Sequence, residues 1–301
     1  MRTLKEYAKI VNERLENVIP AFDEGAFSIG EMPWLLSKSM NYSLSAGGKR
    51  LRPSMLLAAV EMMGGEASEC IDFACSVEMI HTYSLIHDDL PGMDNDSMRR
   101  GRPTNHVVFG EGQAILAGDG LLNYAFETML KAAVSDREKA YDRLLAIREI
   151  ATGAGVAGMI GGQVMDLYCE NNRKSDRESL EYIQYGKTAC MFIYPLRAAG
   201  RLCGASEDAI KALTEYGCAF GRLFQATDDL LDVIGDSEAV GKTLGKDQDS
   251  GKLTCVSAYG LEGTKKLVEA LRDEALAAIS YFGEKARFFE ELVHSMVGRT
   301  Y

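Results

Sequence analysis

Two short stretches of this sequence gather carboxylates at the ends of otherwise apolar helical patterns. The first reads Ile80-His81-Thr82-Tyr83-Ser84-Leu85-Ile86-His87-Asp88-Asp89-Leu90-Pro91-Gly92-Met93-Asp94 and runs on to Arg99-Arg100. Pro91 cannot occupy a regular helix interior and Gly92 permits a bend, so Asp94 is expected to swing back beside Asp88 and Asp89. The second stretch, residues 224–232, sets Asp228 and Asp232 four positions apart, on one helix face. Like charges so placed repel unless a cation neutralises them. Carboxylates supplied one or two per ion, with waters and phosphate oxygens completing an octahedron, are the usual Mg2+ donor set. Two such clusters facing each other would bridge a diphosphate through metal ions. A solvated helix terminus accounts for either cluster alone. It accounts poorly for two on strongly apolar helices, where unpaired carboxylates are costly to bury.

Basic residues complement these carboxylates. Gly47-Gly48-Lys49-Arg50-Leu51-Arg52-Pro53 puts three cations in four positions just before a helix, where backbone N–H groups and the helix dipole also favour an anion. Arg99 and Arg100 can make the bidentate phosphate contacts that Lys cannot. Gly186-Lys187-Thr188 and Gly241-Lys242-Thr243-Leu244-Gly245-Lys246-Asp247 add lysines beside glycines. The latter is not a nucleotide phosphate loop, because Asp247 stands where Ser or Thr is needed and the glycine spacing is one short. Gly153-Ala154-Gly155-Val156-Ala157-Gly158 matches GxGxxG but follows a helical pattern and no strand, so close helix packing is expected there and dinucleotide binding is not.

The elements that must carry these groups are helical. Apolar residues recur at three- and four-residue spacing through residues 56–60, 114–133 and 144–152, in a background of Ala, Leu, Met, Glu and Arg. Only six prolines occur and none follows Pro195. No Pro/Ser-rich linker or repeat divides the 301 residues, so one all-α domain is expected. With 47% hydrophobic and 26% charged residues, disorder and a disulfide scaffold are excluded. The formal charge of −11 argues against a nucleic-acid or anionic-lipid coat, so a polyanionic substrate must be held locally. No apolar run approaches the roughly 20 residues of a membrane span, and residues 1–18 read as an amphipathic helix and not a signal peptide. Seven cysteines, with no CxxC pair, read as reduced cytoplasmic thiols.

Taken in order, residues 47–53, Asp88/Asp89/Asp94 with Arg99-Arg100-Gly101-Arg102-Pro103-Thr104, Gly162-Gln163-x-x-Asp166, Lys187-Thr188, and residues 224–232 followed by Gly241-Lys242 resemble the motifs of the trans-isoprenyl diphosphate synthases. The resemblance runs from about residue 30 onward. It implies an all-α isoprenoid-synthase bundle around a central cavity, one polyprenyl synthetase domain over residues 1–301, a homodimer, and three Mg2+ per active site. By motif, Asp88, Asp89 and Asp94 with Asp228 and Asp232 would hold the metals on an allylic diphosphate, which Arg99, Lys187 and Lys242 would also contact. Lys49, Arg52, His81 and Arg100 would bind isopentenyl diphosphate, and Thr188 and Gln225 would line the reacting centre. Asp229 belongs to the second motif with a less certain contact to metal. The implied reaction ionises the allylic C–O bond, lets the isopentenyl double bond attack the carbocation, and then loses a proton, most simply to the leaving diphosphate. No protein nucleophile is required.

The first motif reads DDxxxxD after His81-Thr82-Tyr83-Ser84, which looks like the bacterial farnesyl-producing branch. A growing chain would run down the helix beneath Asp88, where Tyr83 lies about 7.5 Å earlier at roughly 1.5 Å per residue, and Ser84 more directly below. Relatives treat an aromatic at this position as a stop. The expected product is therefore the C15 (E,E)-farnesyl diphosphate made from dimethylallyl and geranyl diphosphate, with the C20 geranylgeranyl product as the alternative. Ala189-Cys190 replaces the more usual Gly-Ala, and Cys255 stands where an aromatic is frequent, with packing as its only account. Three rivals remain: a terpene cyclase, a non-catalytic regulatory subunit, and a di-iron bundle built on Glu78-x-x-His81 and Glu291-x-x-His294. Two aspartate motifs with a basic loop favour coupling of two diphosphates over all three.

Overall fold

The three- and four-residue apolar spacing becomes helix almost throughout a computed structural model, which describes residues 2–234 and 252–298. Lys242 and its flanking glycines lie outside the described residues. The chain divides into two units, residues 2–147 and residues 148–301.

The N-terminal unit holds α1 (Leu4–Leu15), α2 (Trp34–Leu44), α3 (Leu51–Met62), α4 (Ile71–Asp88), α5 (Asn105–Phe109), α6 (Glu111–Val134) and the start of α7 (Ala140–Ala154). Thr3 and Glu6 close a capping box at the start of α1, satisfying two of the N–H groups that a helix start leaves open. α4 is the central helix, packed by α3 and α6. Phe73, Cys75, Val77, Met79 and Ile80 are all 0% exposed, so α4 has no solvent stripe until its last turns. A two-residue hairpin, β1 (Met98–Arg99) against β2 (Arg102–Pro103), pairs Arg99 with Arg102.

Within this apolar packing α4 buries one charge, Glu78, and Arg50 answers it. Arg50 precedes α3 with φ 49° and donates to Glu78 Oε1 (2.5 Å), Asn12 Oδ1 (2.9 Å) and the Leu44 carbonyl (2.7 Å). One guanidinium thus ties together α1, the end of α2, the start of α3 and the middle of α4.

The C-terminal unit contains α8 (Met159–Asn172), α9 (Arg177–Ile183), one π-helical turn (Gln184–Ala189), α10 (Cys190–Leu202), α11 (Glu207–Ile234), α12 (Cys255–Ile279) and α13 (Arg287–Val297). α11 is its spine, packed by α10 and α12 and closed by an aromatic cluster of Phe192, Tyr216, Phe220 and Phe289. The GxGxxG stretch does what its helical context predicts: Gly153 lies against the Tyr194 ring, and Gly158 touches the Gly153 carbonyl in the turn into α8. By length and composition alone, residues 140–172 are apolar enough to cross a membrane. The turn at 155–158 interrupts them, and buried Glu149 is ion-paired to Arg197 and Arg201. All seven cysteines are thiols, five of them buried.

Glu78→Ala leaves the Arg50 guanidinium buried beside a cavity. A loss of about 3–5 kcal/mol of unfolding free energy in urea is expected for a broken buried pair; a loss under about 1 kcal/mol would mean that other groups hold the loop on α4.

Candidate active site

In the N-terminal unit the site is the C-terminal end of α4. Asp88 is the last helical residue and Asp89 follows as its cap. The chain turns at Pro91-Gly92, and the Asp94 N–H returns to donate to the Asp88 carbonyl at 2.8 Å, while Asn95, at φ 52°, donates to Leu90. The expected return of Asp94 to the helix end is therefore what forms. Asp89 is 3% exposed and is gripped by Arg99, whose Nε lies 2.7 Å and Nη2 2.6 Å from Oδ1. Burial pushes the Asp89 carboxyl above its ordinary pKa, and the Arg99 guanidinium pulls against that rise.

The next arginine joins this end of α4 to the basic loop. Arg100, at φ 52° in the hairpin turn, donates to the Gly47 carbonyl and lies flat on Gly48. A Cβ on Gly48 would come within 2.8 Å of Arg100 Cζ, and φ there is +122°, so only glycine allows this approach. Burial and the neighbouring Arg50 and Arg99 charges lower the Arg100 pKa. His81, two turns before the end of α4, lies in the field of Arg52, Arg100, Arg99 and Arg50. Burial first, and then those four charges, hold its pKa well below the ordinary histidine value. An open pocket of about 380 Å3 lies beside them, walled by Tyr42, Thr82, Asp89, Arg99, Arg100 and Arg102 among others. Cations crowded this closely in an acidic protein make an anion receptor.

The three basic residues of the loop do different work. Arg50 turns inward to Glu78, Lys49 stays exposed, and Arg52 is half-buried near His81. The Glu78 that a di-iron reading requires is engaged by Arg50, and Glu291 is an exposed partner of Arg287. Tyr83 is 6% exposed and packs edge-on to His87 at 5.7 Å; burial and then the Asp88 charge push its hydroxyl up to about 12. Thr82, Leu85 and Ile86 line the open pocket, whereas Tyr83 and Ser84 do not, and Ser84 Oγ donates to the His81 carbonyl.

In the C-terminal unit the expected site residues that the structure describes sit on the π turn and on α11. Lys187 Nζ lies 2.5 Å from Asp166 Oδ2 on α8. This pairing needs backbone contact between the two elements: a Cβ on Gly162 would fall 2.0 Å from the Lys187 nitrogen. Thr188 donates to Gln225 Oε1 (2.9 Å), Gln225 Nε2 donates to Asp229 Oδ1 (2.8 Å), and the Cys255 N–H donates to Asp229 Oδ2 (2.7 Å). Gln184 Nε2 donates to Cys255 Sγ at 2.8 Å, and burial raises that thiol's pKa. Asp228 and Asp232 are half-buried on one face of α11, while Asp229 is 4% exposed on another. The interior roles of Asp166, Asp229, Gln184 and Cys255 escape sequence reasoning. The Cys255 side chain is more than a space-filler, since its sulfur accepts from Gln184.

Among the described residues no three His, Cys, Asp or Glu side chains gather into a metal cage. The donors on offer are carboxylates at the end of α4 and along one face of α11. Each group by itself suits a hard cation that takes one or two carboxylates and completes its shell with other oxygens, and Mg2+ fits that chemistry.

The family model described as "Polyprenyl synthetase" matches residues 33–282. Farnesyl diphosphate synthase of Bacillus subtilis (strain 168) is 42% identical over 285 residues, 95% of this chain and 94% of the relative. Geranylgeranyl diphosphate synthase of Cyanophora paradoxa is 41% identical over 284 residues, 94% and 91% of the two chains. A crystal structure of Helicobacter pylori geranyltransferase complexed with magnesium and isoprenyl diphosphate superimposes with a TM-score of 0.81 at 30% identity, covering 98% of this chain and 95% of that one.

The His81 field makes a pH prediction. With its folded-state pKa below the unfolded value, His81 contributes its full share of stability above about pH 6.5, and that share shrinks as pH falls because the unfolded chain binds the proton more readily. Its ring resonances should show a neutral imidazole at about pH 6. A titration midpoint at or above about 6.5 would mean that the arginines do not act on it.

Proposed function

Because the chain belongs to the polyprenyl synthetase family, we propose that it is a Mg2+-dependent prenyltransferase that joins isopentenyl diphosphate to dimethylallyl and then geranyl diphosphate, releasing (E,E)-farnesyl diphosphate. The observation that carries this reading is the arginine cluster around His81, pressed against an aspartate-tipped helix end in a protein of net charge −11. The family match spans both units. Exposed Val107, Val108 and Leu116 offer a surface for a second copy, and we assign the enzyme as a cytoplasmic homodimer.

Asp88, Asp94, Asp228 and Asp232 would hold Mg2+, up to three ions, which would supply positive charge against that developing on the departing diphosphate. Arg99, Lys187 and Lys242 hold the allylic diphosphate oxygens. Asp89 would join the other aspartates through the carboxylate that Arg99 holds. Lys49, Arg52 and Arg100 hold the second diphosphate, and neutral His81 donates a hydrogen bond without adding to their mutual repulsion. Thr188 and Gln225 flank the carbon that becomes positive, where the Gln225 carbonyl dipole stabilises the developing charge.

The aromatic Tyr83, buried about one and a half helical turns before Asp88, supports a closed chain pocket and the C15 product. Geranylgeranyl relatives at 41–46% identity keep a C20 product as the second reading. The purified chain is incubated with Mg2+, isopentenyl diphosphate and, separately, dimethylallyl, geranyl or farnesyl diphosphate, and products are sized by mass spectrometry. C15 from the first two, with farnesyl diphosphate left unextended, is expected. C20 would keep the condensation and overturn the Tyr83 floor, and no product from any starter would overturn the enzyme assignment.

A further inference from the structure

Asp229 stands in the middle of an aspartate-rich motif, yet its geometry separates it from Asp228 and Asp232. Its carboxylate is 4% exposed, and both oxygens accept hydrogen bonds from N–H donors: Oδ1 from Gln225 Nε2, Oδ2 from the Cys255 backbone at the first residue of α12. A carboxylate that takes two N–H donors acts only as an acceptor, so it dictates which way the Gln225 amide lies. The NH2 must face Asp229, and the carbonyl oxygen must therefore face Thr188, whose hydroxyl donates to it at 2.9 Å. Gln184 fastens the far end of the chain of bonds through the Cys255 thiol.

We propose that Asp229 is a positioning residue: it holds the Gln225 carbonyl toward the reacting carbon and anchors the start of α12 to α11, and it is not a metal ligand. This inference rests on the proposed condensation, in which positive charge develops at that carbon. A carbonyl dipole aimed at the carbon stabilises the charge, and a flipped amide presents its N–H edge and opposes it.

The amide chemistry supplies a test. In Asp229→Asn the new side chain keeps an acceptor for the Cys255 N–H but turns an NH2 toward Gln225. The Gln225 amide then flips, its carbonyl meeting the introduced NH2 and its own NH2 meeting Thr188. Every hydrogen bond is satisfied with the dipole reversed. Adding Gln225→Glu restores an acceptor toward Thr188 and returns the net charge of the pair to its original value.

Steady-state rates are measured for the wild type, Asp229→Asn and the double variant Gln225→Glu/Asp229→Asn, each across a Mg2+ titration. For the single variant kcat should fall about 10- to 100-fold, with KM for both diphosphates and the half-saturating Mg2+ concentration changed less than about twofold. The double variant should recover most of the lost kcat. A rise of at least about tenfold in half-saturating Mg2+, of the size expected when a metal site is damaged, would overturn the inference in either variant. So would a double variant no faster than the single one. Should Asp229→Asn fail to fold, the double variant alone decides through its rate and Mg2+ requirement. An inactive wild type overturns the condensation itself, and this inference with it.

Discussion

The Arg50–Glu78 ion pair is the constraint on which the anion-binding end of the N-terminal unit depends. Two opposite charges, each side chain 2% exposed, lock the residue before α3 onto the middle of α4. The loop of residues 47–53 then has one geometry, with Gly48 turned toward the hairpin and Arg52 beside His81. Without that anchor, the loop that carries Arg52 would lose its buried tie to α4, beside Arg99 and Arg100. Mutual repulsion would spread them, since like charges in a partly desolvated site are unfavourable. The buried pair and the packing of α4 hold that repulsion in place, and an anion bound there would relieve it.

The C-terminal unit solves the opposite problem. It holds reactive polar groups in place with hydrogen bonds and close backbone contact, and with few crowded charges. The π turn puts Lys187 and Thr188 on successive positions, and π-type turns inside helices are frequent at functional sites. Gly162 allows α8 to press on that turn until Lys187 reaches Asp166. From Thr188 the chain of bonds runs through Gln225 and Asp229 to Cys255, so the start of α12 and the middle of α11 keep a fixed relation. Such a network rigidifies a site when every member is satisfied, and here each member has a named partner.

Much of this was legible in the residue order. Helix periodicity, the turn forced by Pro91-Gly92, the return of Asp94 and the shared face of Asp228 and Asp232 follow from local geometry. So does the dismissal of residues 153–158 as a nucleotide loop. Each depends only on neighbours within a few positions, where backbone stereochemistry leaves few choices.

The sequence by itself determined the helical class, the two carboxylate clusters, the basic loop and the charge balance that demands a localised anion site. Only the tertiary structure decided which cation of three turns inward, because Arg50 meets a partner 28 positions away. It alone separated Asp229 from its neighbours, through a backbone N–H 26 positions on, and gave Cys255 a role through a glutamine 71 positions earlier. It also set Tyr83 edge-on to His87, outside the lining of the open pocket. Helical spacing names the face a residue occupies. What that face meets depends on how helices distant in sequence pack, and packing is a property of the whole chain.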